Sequence, residues 1–272
     1  MRRPDFALNH MTVARMGFEE FVALARRLGC VGVECRNDLP GPLFDGLRPS
    51  QAGNLIKDAG LRLLALAEVK QFDRLTEDQM DDVLLLLDIA NAAGAEAVAL
   101  IPANDGQSDP SDLSGLQAAI DLIAPHLNER GLIGLIEPLG FSTCAIRTKA
   151  AVVELLETTG HSARFRLVHD TFHHHVAADA DLAPAHTGLV HLSGVTDPGL
   201  GPDDMRDSHR GLVDQDDRLD NIGQIRALVS AGYDGVLSFE AFSPAVHAEQ
   251  HPFDLLAESI QWIDAALREE AA

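Results

Sequence analysis

Cysteine is scarce: Cys30, Cys35 and Cys144 are the only three among 272 residues. Their number is odd and none is paired at a metal-binding spacing, which argues against a disulfide framework or a zinc ribbon and predicts reduced thiols in the cytoplasm. Aromatic residues are few as well, 5% of the chain, while Ala and aliphatic side chains dominate a hydrophobic fraction of 46%. That balance suits helices packed against a buried parallel sheet. Positive charge is short, with 21 Lys and Arg against 42 Asp and Glu and a formal net charge of -21, so the long-range field repels nucleic acid and anionic membranes. No apolar run is long enough to span a membrane, since Asp88 interrupts Val83 to Ala90. An export signal is not expected either, because Asn9 and His10 break the only run that follows Met1, Arg2 and Arg3. A Gly-rich turn after the first strand is also missing, which disfavours a dinucleotide-binding open sheet.

What the chain does have is a rhythm. Short strand-like runs recur at Phe6–Leu8, Val31–Val33, Leu61–Leu66, Ala97–Ile101, Leu132–Ile136, Phe165–Val168, Gly188–Leu192 and Val236–Phe239. Between them lie helical segments, most of them closed by a Gly: Phe18–Leu28, Ser50–Ala59, Asp81–Ala93, Leu113–Arg130, Thr148–Thr159 and Ile222–Ala231, with Phe253–Glu270 as the last. The sixth helix is expected as a short one near Asp179–Ala185. Eight βα units with right-handed crossovers predict one (β/α)8 TIM barrel over residues 1–272, with no linker and no second domain. The irregular stretch Ser193 to Asp220, rich in Asp, Pro and Gly, follows the seventh strand and is expected at the C-terminal mouth.

That mouth is where a barrel places its ligands and catalysts, so the residues at the strand ends carry the chemistry. Strand five ends in Ile136-Glu137-Pro138, strand six in Val168-His169-Asp170, strand seven carries Val190-His191-Leu192, and strand eight ends in Ser238-Phe239-Glu240. Three carboxylates converging on a hydrophobic rim are costly unless a cation compensates them. A divalent ion held by Glu137, Asp170, His191 and Glu240 satisfies that need, and this donor set suits Mn²⁺, taken first, or Mg²⁺, Co²⁺ or Zn²⁺. Further polar groups close other strands: Asn9 and His10, Glu34 and Arg36, Glu68 and Lys70. Of these His10, Glu68 and Lys70 are candidates for contact with substrate. His173 is another, on the turn after strand six, whereas His174 and His175 are expected to be loop residues. In the long loop Arg206 and Arg210 compete as a clamp for a substrate oxygen.

These residues resemble the xylose-isomerase-like barrels of sugar isomerases and epimerases. The carriers are Ile136-Glu137-Pro138, the run from His169 to His173, Val190 to Ser193, and Ala231 to Gly235 with Ser238-Phe239-Glu240. Within that family the chain looks nearest to inosose (2-keto-myo-inositol) isomerases, through Ser193 to Pro198 and Ser238 to Phe242. The resemblance implies a metal on the four residues named above, with Glu137 and Glu240 also serving as acid and base, and His173 and a loop arginine on the substrate oxygens. Two positions depart from the pattern: Gly194 stands where relatives often carry an acid, and no arginine closely follows His191.

The expected activity is metal-dependent isomerisation or epimerisation of a ketose or keto-polyol, by proton transfer through an enediolate. The expected partners are a small polyol or sugar and a possible second copy of the chain, with no nucleic acid and no membrane. Three alternatives are weighed. A dehydratase would use the same α-proton removal and then lose water, and a carbohydrate-binding protein would keep the pocket without turnover. A DNA phosphodiesterase would need histidines on strands three and four, which end instead in Glu68-Val69-Lys70 and Ile101-Pro102-Ala103. Trp262, on the last helix, is expected to pack on the barrel, with a subunit interface as the other role.

Overall fold

The computed structural model describes residues 4–109 and 111–269. Its eight strands are β1 (Asp5–Asn9), β2 (Gly32–Arg36), β3 (Arg62–Lys70), β4 (Ala97–Ile101), β5 (Ile133–Ile136), β6 (Phe165–Asp170), β7 (Thr187–Leu192) and β8 (Val236–Phe239). Each pairs in parallel with the next, and β8 returns to β1 through Asp5 opposite Val236 and Ala7 opposite Ser238. The sheet is therefore a closed (β/α)8 barrel, and closure leaves no open edge.

The helices are α1 (Phe18–Leu28), α2 (Pro49–Asp58), α3 (Met80–Ala93), α4 (Ser114–Arg130), α5 (Lys149–Thr159), α6 (Thr171–Ala177), α7 (Asn221–Ser230), α8 (Pro244–His247) and α9 (Pro252–Glu269). α1 shows why such segments are helical and where they stop. Phe18, Phe21, Val22 and Ala25 form one buried face, Glu19 and Glu20 favour the positive N-terminus, and Arg26 and Arg27 favour the negative C-terminus. Gly29 then turns left-handed at φ 73°, and its N–H caps the carbonyls of the last turn. Glu270, the expected end of the last helix, lies outside the described residues.

Two apolar layers support the barrel. Ala7, Leu64, Ala65, Ala97, Leu135, Val168, Leu189 and Val236 fill its interior. A larger shell, including Phe21, Leu87, Ile120, Phe165 and Ile263, lies between strands and helices. Trp262 is partly buried against that shell.

β2, β3 and β6 run past their hydrophobic runs to Arg36, Lys70 and Asp170, the polar residues expected to close them. Backbone pairing continues to the rim because neighbouring strands still offer partners, whereas side-chain polarity begins earlier, where the barrel opens. The sixth helix is not at Asp179–Ala185 but at Thr171–Ala177. Asp170 caps it at once, its side chain accepting the N–H of His173. Asp179 and Asp181 accept the N–H groups of Asp181 and Ala183, a local pairing that competes with helix. His173, His174 and His175 are therefore helical rather than turn and loop residues.

The Ser193 to Asp220 segment is irregular apart from short turns at Pro202–Asp204 and Asp207–His209. It folds back on β7 where Gly194 and Gly211 exchange hydrogen bonds of 2.9 and 2.7 Å. A Cβ on Gly194 would lie 2.5 Å from the Leu212 carbonyl oxygen, so an acid at that position would hold the loop away. The return brings Arg210 to the barrel mouth.

Candidate metal centre

Side chains on a strand alternate between faces, so the interior residues mark which later positions share their face. Leu135, Val168 and Leu189 line the interior. Two residues further along the same strands stand Glu137, Asp170 and His191, and β8 continues from Val236 through Ser238 to Glu240. The four are buried at 5%, 2%, 2% and 2% exposure, and one potential ligand atom from each lies within 4.8 Å of all the others. Among the described residues this is the one such group.

The histidine shows whether an ion suits the cluster. Its Nε2 lies 3.0 Å from Oε2 of Glu34, which reaches across from β2 and accepts a second hydrogen bond from Ser238 Oγ. In the neutral ring that a metal would require, this contact makes Nε2 the donor and leaves the lone pair on Nδ1. Nδ1 is buried and has no hydrogen-bond partner, although it stands 3.2 Å from Glu240, 3.6 Å from Glu137 and 4.0 Å from Asp170. An orphaned imidazole nitrogen facing three carboxylates is the donor set of a divalent cation, so the residues fit a metal ion.

Without an ion the protein's own charges must balance the carboxylates. Glu240 Oε1 accepts from Arg36 Nη1 at 2.8 Å and Asn9 Nδ2 at 3.2 Å, and its Oε2 accepts from Arg210 Nη2 at 2.9 Å. The same Nη2 donates to Asp170 at 2.5 Å. Glu137 has no arginine within ion-pair distance among the described residues, and its carboxyl is pushed up to about 7, by burial first and then by the charge of Glu240. Burial also opposes ionisation of Glu240, but His191, Arg210 and Arg36 outweigh it and hold that carboxyl below the usual range. Burial acts to lower His191, yet the charges of Glu240, Glu34 and Glu137 raise it well above 6.5. The metal-free site thus holds protons where a cation would sit.

The other expected residues fall at different distances from this centre. His173 is buried on α6, and its Nδ1 accepts the N–H of Gly140 at 3.2 Å, which leaves Nε2 as the donor. Burial, the largest influence, lowers its pKa and keeps the ring neutral. Arg210 is a buried brace on Asp170 and Glu240, stacked over Phe172 and Phe242 at 5.1 and 4.5 Å. Its Nε and Nη1 are engaged too, with Ser193 and Asp207. Arg206 is exposed and donates through Nη1 to the carbonyls of Asp203 and Met205. It lines a cleft of about 570 Å³ together with Gly140, Phe141, Arg147 and Asp207.

Glu68 sits one link out, 3.5 Å from Arg36, and Lys70, largely exposed, pairs with Glu68 at 3.2 Å. His10 faces α1, stacked on Phe21 at 4.1 Å and bonded to the Met16 carbonyl. The sequence reading missed what Glu34 and Arg36 do. Their shared inward parity on β2 was visible, but which groups they meet across the barrel was not. The three cysteines are free and buried, and burial raises Cys30 to about 12 and Cys144 to about 11.

Comparison with known proteins agrees with this architecture. The chain is 29% identical to a xylose isomerase domain containing protein from Salmonella typhimurium LT2, covering 100% of this chain and 99% of that one with a TM-score of 0.87. The IolI protein, solved with a bound zinc atom, superposes with a TM-score of 0.82 at 17% identity over 96% of both chains. An L-ribulose 3-epimerase gives 0.72 at 18% identity, over 98% of this chain and 97% of its own. No curated protein matches the chain. The family model described as xylose isomerase-like TIM barrel matches residues 22–266, and the chain belongs to that family.

Proposed function

We propose that this protein is a divalent-metal-dependent isomerase or epimerase of a ketose or keto-polyol, with 2-keto-myo-inositol as the first substrate to test. The observation that carries the proposal is the convergence of Glu137, Asp170, Glu240 and the unpaired Nδ1 of His191 on one point. These four residues would hold the ion, with Mn²⁺ placed first; the zinc in the IolI structure makes Zn²⁺ the natural comparison. When bound, the ion supplies polarisation of a substrate carbonyl and so acidifies the adjacent carbon.

The protein's own groups do the rest. Glu137 and Glu240 come from β5 and β8, three strands apart, and offer two carboxylates, one to take the α-proton and the other, or the same one, to return it to the neighbouring carbon. His173 presents Nε2–H as a donor to the oxygen on which negative charge develops. Arg210 and Arg36 hold Glu240 in place. The substrate's outer part would occupy the cleft beside Gly140 and Phe141. A reduced, cytoplasmic setting suits three buried thiols.

The test is incubation of metal-loaded protein with 2-keto-inositols and ketohexoses in D₂O. Deuterium at the α-carbon of at least one substrate is expected, and its absence from all of them would refute proton abstraction. A product lighter by one water would mark a dehydratase instead.

A further inference from the structure

Arg147 touches none of the four candidate ligands, and among the described residues no carboxylate stands within ion-pair distance of it. Its Nε and Nη2 both donate to the carbonyl oxygen of Gly140, at 3.1 and 2.8 Å. A guanidinium engaged twice by a single neutral oxygen acts as a latch on the backbone rather than as a charge partner. The backbone it latches is the one that meets His173: the Gly140 N–H, on the other side of the same Cα, donates to Nδ1 of that ring at 3.2 Å.

Gly140 has no freedom to move towards α6 and no room for a side chain. A Cβ there would lie 2.3 Å from the His173 carbonyl oxygen and 2.8 Å from the Ala177 nitrogen. The ring plane is set as well, with Phe141 and Phe172 edge-on at centroid distances of 5.1 Å each. A backbone N–H can only donate, so a hydrogen on Nδ1 would place two donors face to face. Both the Nδ1–H tautomer and the imidazolium are therefore disfavoured while Gly140 stays where Arg147 holds it.

We propose that Arg147 and Gly140 are positioning residues that fix His173 in the Nε2–H tautomer, as a ready hydrogen-bond donor. The catalytic value of that donor rests on the isomerase reading; the tautomer itself does not.

The test is long-range ¹H–¹⁵N spectroscopy of the imidazole nitrogens in the intact protein, with the His173 signals assigned by their loss in His173→Gln. The wild type is expected to show an unprotonated Nδ1 and a protonated Nε2. Arg147→Ala should give a mixture of tautomers. Arg147→Lys, which keeps one donor for the Gly140 carbonyl, should restore the single form. Metal affinity should stay the same in both variants, and kcat in Arg147→Ala should fall on the order of tenfold with KM little changed.

A protonated Nδ1 in the wild type would overturn the proposal, as would a folded Arg147→Ala protein with the wild-type tautomer. Should Arg147→Ala fail to fold, Arg147→Met, which keeps much of the length of the side chain and loses its donors, takes its place: a mixture of tautomers supports the proposal, and the wild-type tautomer overturns it. A correct tautomer in a protein that exchanges no substrate deuterium would remove the isomerase reading alone.

Discussion

Glu34 and His191 meet across the barrel, Oε2 to Nε2 at 3.0 Å, although 157 residues separate them along the chain. The contact determines which imidazole nitrogen faces the carboxylates. It also places Glu34 behind the histidine, where it orients a proposed ligand rather than contacting the proposed ion. Replacing Glu34 by Ala should therefore weaken metal binding by about 10- to 100-fold without abolishing it. Calorimetric titration of the chelator-treated variant checks this, and an unchanged affinity would remove Glu34 from the design.

His191 itself should matter more. His191→Ala removes the only nitrogen donor in the cluster, and metal analysis of the purified variant should find the ion lost or far below one per chain. A stoichiometric ion that survives this change would contradict the ligand assignment.

The metal-free protein should lose stability as pH rises above about 7. Glu137 is held at about 7 against an ordinary 4.5, and His191 well above 6.5, so in each window the folded state keeps a proton that the unfolded chain has released. Stability falls with rising pH wherever the folded state binds more protons. Glu240 acts in the opposite sense below 4.5, and His10, His169, His173, His174 and His175, all lowered from 6.5, do so below that value, so the fall belongs to the interval above it. Tm of the chelated protein should thus drop between about pH 7 and about pH 8, and added Mn²⁺ or Zn²⁺ should reverse the trend by displacing those protons. A metal-free Tm that rises over the same interval would speak against this charge balance.

Arg210→Ala should be strongly destabilising in the metal-free state, by roughly 3–5 kcal/mol, because it strips a buried partner from Asp170 and Glu240 together. Arg210→Lys should recover only part of the loss, since one ammonium cannot reach Ser193, Asp207 and the two carboxylates as the planar fork does. Denaturant unfolding of both variants measures the difference, and full recovery by lysine would mean that charge alone is needed there.

The βα rhythm and its hydrophobic runs were enough to read the eight staves and the closed barrel, because burial on both sides of a parallel strand demands unbroken apolar residues. The polar residues after those runs, Arg36, Lys70 and Asp170, likewise read as the ends of β2, β3 and β6. α6 was misplaced. A helix of Thr171-Phe172-His173-His174-His175-Val176-Ala177 has little amphipathic period and starts from a cap that doubles as a candidate ligand.

Local order alone determined that Glu137, Asp170, His191 and Glu240 stand at the mouth of consecutive strands, because strand parity and the βα repeat are properties of short segments. Only the tertiary structure decided which groups face one another: Glu34 behind His191, Arg36 and Arg210 on Glu240, Arg147 on the carbonyl beside His173. Those pairings depend on barrel closure and on a long loop returning at Gly194, and contacts made across a closed sheet leave no periodic trace in the order of residues.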